Sequence, residues 1–178
     1  MLISQAKRCS EILKKISLNQ MEDDKFISNV TIKNLLIEII KSFEKISEKQ
    51  IELNSSDYKE NILIKRSPEI TYGIRNFVGN AVKYSNIKVD IKLKMLNKKI
   101  LVEISDDGPG FPSDIFNLLG QPYISSNSDE ILGKSGLGLG TFIGKTLLER
   151  NKAKISFSNK NTGGAKVIIE WKSSDLKI

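Results

Sequence analysis

Asn76-Phe77-Val78-Gly79-Asn80-Ala81-Val82-Lys83-Tyr84 closes a segment that opens at Ser67-Pro68-Glu69. Ser67 suits an N-cap, Pro68 the first helical position and Glu69 the first turn, so a helix is predicted from there to about Tyr84. Ile70, Ile74, Phe77 and Ala81 recur along it at helical spacing as a buried stripe. Asn76, Asn80 and Lys83 form a polar stripe displaced by roughly 120°. Two amides at i,i+4 and a lysine three residues on can point at one spot. The same stripe is also what an exposed polar helix face looks like. Gly73 and Gly79 each cost the helix about 1 kcal/mol against alanine.

Downstream, Ile87 to Leu96 alternates, with Ile87, Val89, Ile91, Leu93 and Met95 on one face and Lys88, Asp90, Lys92 and Lys94 on the other. Asn97-Lys98 turns the chain, and Ile100 to Ile104 returns to Ser105-Asp106-Asp107-Gly108-Pro109-Gly110. This predicts an antiparallel hairpin with one wet face. A short helix follows within Phe111 to Leu119. Gly120 to Ser135 is polar and long enough to be a mobile loop. A helix over Gly136–Arg150 and two strands, Ala153–Ser158 and Ala165–Trp171, complete this half.

Upstream, Val30 to Ser47 reads as a helix carrying Leu35, Leu36, Ile39, Ile40, Phe43 and Ile46. Gln50–Asn54 and Asn61–Lys65 are short strand candidates around a polar turn. Leu2, Ala6, Cys9, Leu13 and Ile16 form a heptad stripe, predicting a helix from about Leu2 to Ile16 ahead of a polar linker. The order of elements gives an α+β class, a mixed and mostly antiparallel sheet with helices on one face, preceded by an N-terminal helix.

Ahead of the 136–150 segment stands Gly133-Lys134-Ser135-Gly136-Leu137-Gly138-Leu139-Gly140. Glycines let backbone N–H groups approach an anion, and a helix N-terminus adds free donors. A flexible loop before a buried helix has the same look. Two phosphate-loop matches fail, because Ser128 and Leu139 stand where the first glycine of G-x-x-x-x-G-K-[ST] is needed. The dinucleotide fingerprint fails at Thr141.

At 178 residues, 39% hydrophobic and 28% charged, the chain suits one globular domain, or one domain plus an arm. No apolar stretch approaches the roughly 18 residues of a membrane span, and no secretory signal is evident. A single cysteine, Cys9, excludes an internal disulfide and a cysteine-based metal site, and fits a reducing compartment. The net charge of +7 comes from scattered lysines, which reads as solvated surface rather than a nucleic-acid footprint. There are no histidines.

Three motifs now stand in order: Asn76 to Tyr84, Asp106-Asp107-Gly108-Pro109-Gly110, and Gly133-x-x-Gly136-Leu137-Gly138-Leu139. Together they resemble the N, G1 and G2 boxes of the ATPase superfamily that groups gyrase, Hsp90, MutL and histidine kinases, over roughly Val30 to Lys172. The resemblance implies a two-layer α/β sandwich of the Bergerat type, binding ATP with Mg²⁺. It implies that Asp106 accepts a hydrogen bond from the adenine 6-amino group. Guanine would present an oxygen there, acceptor against acceptor. Gly108 and Gly110 would turn the chain away from the base. Asn80 would offer an oxygen to Mg²⁺ and Lys83 a point charge to phosphate, with Tyr84 beside them. Backbone groups at Ser135, Gly136, Leu137, Gly138 and Leu139 would hold the phosphates, and Ser125–Ser135 looks like the nucleotide lid.

Within that superfamily, gyrase- and Hsp90-type members carry a water-activating glutamate at the position matching Asn76. An amide cannot take a proton, so Asn76, Asn80 and Lys83 look like the catalytic set of a kinase rather than a hydrolase. Gly120-Gln121-Pro122-Tyr123, the 140–150 segment and Gln5 to Leu13 are similar to the redox-responsive RegB/PrrB sensor kinases. By that likeness, residues 1–18 would be the tail of a dimerisation helix, 19–29 a linker, 30–173 the ATP-binding catalytic domain and 174–178 a tail. Cys9 would be linked to redox control, although a small buried residue on the stripe explains it equally. A histidine kinase needs a phosphoacceptor histidine that this sequence lacks, so the chain is expected to be the catalytic end of a longer or split kinase. It would then act on a histidine-bearing dimerisation segment and serve a response regulator. It would dimerise in the full-length protein and bind no nucleic acid. It would lie in the cytoplasm, with membrane anchoring only through further segments. Two other classes compete: an anti-sigma-type serine kinase, and a non-catalytic nucleotide-responsive interaction module.

Overall fold

Ser67 caps the central helix as predicted: in the computed structural model, which describes residues 29–124 and 139–176, its Oγ accepts from Ile70 N–H at 3.2 Å. In chain order the elements are β1 (Asn29–Thr31), α1 (Ile32–Glu44), β2 (Gln50–Asn54), β3 (Leu63–Lys65), α2 (Pro68–Tyr84), β4 (Lys88–Leu96) and β5 (Lys99–Asp106). A 3₁₀ turn at Phe116–Leu118, α3 (Gly140–Arg150), β6 (Lys154–Asn159), β7 (Ala165–Lys172) and α4 (Ser173–Leu176) follow.

Five strands make one mixed sheet in the order β2-β4-β5-β7-β6, in which only the β2–β4 pair is parallel. Asn97 and Lys98, at φ 51° and 61°, close the β4–β5 hairpin as a tight turn whose twist matches the strands. The register aligns apolar rows across the sheet: Ile91 faces Ile104, which faces Val167, which faces Phe157. The next row runs Leu93, Val102, Ile169 and Ile155. These rows join Leu35, Leu36, Ile74, Phe77 and Leu148 of α1–α3 in one core. The opposite face carries charge pairs such as Lys88–Glu52 at 3.0 Å and Lys99–Glu170 at 2.9 Å.

Helices α2 and α3 pack at close range because each contributes a glycine. A Cβ on Gly73 would lie 2.5 Å from Leu148 Cγ, and one on Gly144 would lie 3.2 Å from Asn76 Cβ. The helical cost of Gly73 is therefore what lets α3 lie against α2.

Several expectations change. The helix expected over Val30–Ser47 covers Ile32–Glu44; Val30 belongs to β1, which pairs with β3 in a separate two-stranded sheet. Ile46 lies beyond the helix and is 74% exposed, whereas Leu35, Leu36, Ile39 and Ile40 are buried. Ile87 is exposed too, since β4 begins only at Lys88. Helix α3 starts at Gly140 rather than Gly136, with Leu139 as its uncapped N-terminal neighbour. Of the segment expected as a tail from residue 174, the described part belongs to α4 (Ser173–Leu176), with Leu176 buried. The N-terminal helix with Cys9, the linker up to residue 28, and the stretch with Ser135, Gly136, Leu137 and Gly138 lie outside the described residues.

Candidate functional site

Asp106 ends β5 in register with Val89, so it shares the apolar face of the sheet rather than the wet one. Asp106 is consequently a buried residue, 4% exposed. Oδ1 accepts from Gly108 N–H at 2.9 Å and from Ala165 N–H at 3.2 Å. Burial pushes the carboxyl above the usual aspartate range and Asp107 adds to the rise, while the two N–H groups and Lys160 pull it back. A buried carboxylate with part of its accepting capacity satisfied by backbone is suited to receive a donor from a ligand.

Asp107 has the opposite task. It accepts from the N–H groups of Asn86, Ile87 and Lys88 at 2.8–3.1 Å, tying the loop to the α2–β4 connection. Its slight burial works against ionisation, but these donors outweigh it and hold the carboxyl below the usual range. Two adjacent aspartates thus divide between cavity and scaffold.

Asp106 lines a cavity of about 300 Å³ between α2, the loop after β5, the start of α3 and strands β6–β7. Asn80, Lys83, Tyr84, Gly110 and Leu139 line it too. Its apolar walls include Phe77, Phe111, Ile115 and Phe157. Phe157 meets Phe77 edge-on at 6.0 Å and Phe111 at 5.7 Å between ring centres. The result is a mostly apolar slot whose lining also holds a buried carboxylate and the polar side chains of Asn80 and Lys83, the pattern of a small-molecule site.

Backbone must pass very near the slot at Gly108, where a Cβ would lie 2.2 Å from Tyr84 O. Gly108 is not itself among the lining residues. Asn80 donates from Nδ2 to Thr141 Oγ1 at 3.2 Å, and its Oδ1 lies beside Gly140 at the first turn of α3. Lys83 Nζ sits 4.9 Å from the Tyr84 ring centre. Asn76, like Gly108, is outside the cavity lining: it donates to Tyr72 O at 2.8 Å and packs against Gly144, while its Oδ1 lies near Gly140 beside that of Asn80.

The expected Mg²⁺ fits this donor set in one way only. Among the described residues, no cluster of three or more His, Cys, Asp or Glu could cage a metal. A cation at Asn80 Oδ1 would keep most of its shell as water and phosphate oxygen, which suits an ion as reluctant to dehydrate as Mg²⁺.

Sequence reasoning missed Thr141, Asn159 and Gly164. A Cβ on Gly164 would lie 1.9 Å from Asp106 O, so this glycine lets the β6–β7 turn rest on the Asp106 peptide. Gly163-Gly164 in the turn was a legible signal for such an approach. Asn159 carried no local signal.

Residues 66–175 match the family model described as histidine kinase-, DNA gyrase B-, and HSP90-like ATPase. Sensor histidine kinase RegB of Cereibacter sphaeroides is 37% identical over 108 residues, covering 58% of this chain and 23% of that protein. RegB of C. sphaeroides strain ATCC 17023 is 30% identical over 164 residues, covering 87% of this chain and 35% of that protein. The chain therefore spans about a quarter to a third of the length of these curated relatives. Among solved structures, the mycobacterial sensor histidine kinase MprB aligns with a TM-score of 0.67 at 16% identity, covering 80% of this chain and 95% of that one. Full-length ShkA in complex with AMPPNP aligns with a TM-score of 0.65 at 22% identity, covering 80% of this chain and 30% of that one. At these identities the two structures speak to the fold.

Proposed function

We infer, from the premise that this chain belongs to the histidine kinase-, DNA gyrase B- and HSP90-like ATPase family, that it is the Mg·ATP-binding catalytic domain of a sensor histidine kinase. The observation that carries the reading is the buried Asp106 in the lining of a mostly apolar slot that also holds Asn80 and Lys83. Adenine enters the slot, and its 6-amino group donates a hydrogen bond to the Asp106 carboxylate. The phosphates then extend toward the start of α3, where helix N–H groups and Lys83 favour negative charge. Asn80 Oδ1 contributes one ligand to Mg²⁺, which supplies charge neutralisation when bound.

The chain's own task is positioning. Phosphoryl transfer asks little covalent chemistry of the protein, and mainly alignment and electrostatic support. Asn76 has no basic group and spends its N–H on Tyr72 O, so water is not activated there. With no histidine in the sequence, the acceptor is a histidine on a separate dimerisation segment. The share of RegB that matches this chain supports a domain within a longer system, with a response regulator downstream and dimerisation through other segments. The same likeness motivates a redox role for Cys9, which is outside the described residues. Among the described residues no helix is long and apolar enough to cross a membrane. We place the domain in the cytoplasm, where ATP and Mg²⁺ are available.

The test is transfer in trans. The chain is mixed with a histidine-bearing dimerisation segment of a sensor kinase and with γ-labelled ATP. An acid-labile label on the segment supports the reading; a serine-linked, acid-stable label on a partner protein would point to a serine kinase instead.

A further inference from the structure

One cross-strand pair holds both ends of the loop that follows β5. Asn159, the last residue of edge strand β6, stands directly opposite Ala165, the first residue of β7. Ala165 N–H bonds Asp106 Oδ1 at the start of the loop. Asn159 grips the other end twice: Oδ1 accepts from Phe111 N–H at 2.7 Å, and Nδ2 donates to Phe111 O at 2.9 Å. Gly110, at φ 84°, brings the loop against this amide, for a Cβ there would lie 2.8 Å from Asn159 Oδ1.

We propose that Asn159 is a positioning residue for the base of the nucleotide, a role that rests on the reading of the slot as an adenine site. Phe111 and Asp106 both line the slot, the ring as part of its apolar wall and the carboxylate as its buried acceptor. Each Phe111 bond to Asn159 fixes a backbone atom on either side of the aromatic side chain, so the wall is set by β6 rather than by the loop itself. The ring is then packed against Phe157, two residues earlier on the same strand. Asn159 and Ala165 together fix the spacing between wall and carboxylate. A purine is a rigid plate, so its binding depends on that spacing, whereas a phosphate chain at the mouth does not touch it.

Asn159 is exposed, so its removal leaves no buried polar group unpaired and the chain is expected to fold. Asn159→Ala removes both bonds; Asn159→Asp keeps the acceptor for Phe111 N–H but sets a carboxylate against Phe111 O. Calorimetry is run on the whole chain with Mg·ADP and separately with Mg·pyrophosphate, alongside thermal melts. Both variants are expected to bind Mg·ADP about tenfold more weakly, the effect of losing one to two ordinary hydrogen bonds, with pyrophosphate affinity within about twofold of wild type. Unchanged Mg·ADP affinity in Asn159→Ala overturns the proposal. Parallel losses of ADP and pyrophosphate affinity also overturn it, because they would make Asn159 a general support of the fold. A wild-type chain that binds pyrophosphate but gains nothing from the adenosine group overturns the adenine reading itself, and this role with it.

Discussion

Gly73 and Leu148 touch so closely that a Cβ on Gly73 would lie 2.5 Å from Leu148 Cγ. Leu148 is fully buried, so its side chain has nowhere to retreat. Gly73→Ala would gain about 1 kcal/mol of helix propensity and lose about 1–3 kcal/mol to overpacking. Chemical denaturation is expected to show net destabilisation of up to about 2 kcal/mol, and ATP affinity to fall as α3 shifts from α2. A stabilised Gly73→Ala protein would mean that the two helices do not meet as described.

The Ser67–Tyr84 helix was readable because its signals are local: a capping serine, a proline at the first position, and a periodic stripe. The β4–β5 hairpin was readable for the same reason, from alternation broken by Asn97-Lys98. What stayed hidden depends on partners distant in sequence. Val30 runs into the periodic segment without a break in the sequence, yet it pairs with Ile64 in a strand that only the folded chain defines. Asn76 and Asn80 look equivalent in sequence, but Gly144 packs onto the first while Thr141 bonds the second. Asn159 acquires its role from the β6–β7 register, which no spacing in the sequence announces. Asp106 was singled out by its motif, but its burial follows from standing opposite Val89.

Asp106 sets a conflict between stability and binding. Its folded pKa is raised, chiefly by burial, so the folded state binds more protons than the unfolded one between the ordinary aspartate value and the raised one. Stability of the unliganded chain therefore falls as pH rises through that window. Asp106→Asn keeps Oδ1 for Gly108 and Ala165 but removes the buried charge. Urea titrations across pH are expected to show a flatter profile for the variant and no loss of stability at pH 7. A variant markedly less stable than wild type at pH 7 would contradict this account of the carboxylate.

Asp107 behaves with the opposite sign. Its folded pKa is lowered, so its contribution is present above the unfolded value and is lost as pH falls through the folded one. Asp107→Ala is expected to destabilise by about 1–2 kcal/mol at pH 7, since three backbone N–H groups lose their acceptor. The difference from wild type should shrink in acid; a constant difference down to pH 2 would count against it.

Asn80→Ala separates metal from fold. Phosphotransfer to a supplied histidine-bearing segment should drop about 10- to 100-fold, the range for removing a group that supports a metal. ADP binding without Mg²⁺ should change little. Equal losses in both assays would assign Asn80 only to its bond with Thr141.

The isolated wild-type chain should remain unphosphorylated with γ-labelled ATP, having no histidine to accept the group. Its ATP hydrolysis should stay well below about 1 s⁻¹, the low end of ordinary enzyme turnover, because Asn76 supplies no base. An acid-labile phosphate on this chain, or turnover at that rate, would contradict the assignment.

The most direct measurement is calorimetric titration of wild type and Asp106→Asn with Mg·ATP and Mg·GTP. Wild type should bind ATP at least about 100-fold more tightly than GTP, since guanine sets an acceptor against the buried carboxylate. Asp106→Asn should lose most of that affinity and discrimination. Equal affinity of the wild type for the two nucleotides, or an Asp106→Asn chain that binds ATP as tightly as wild type, would contradict the central claim.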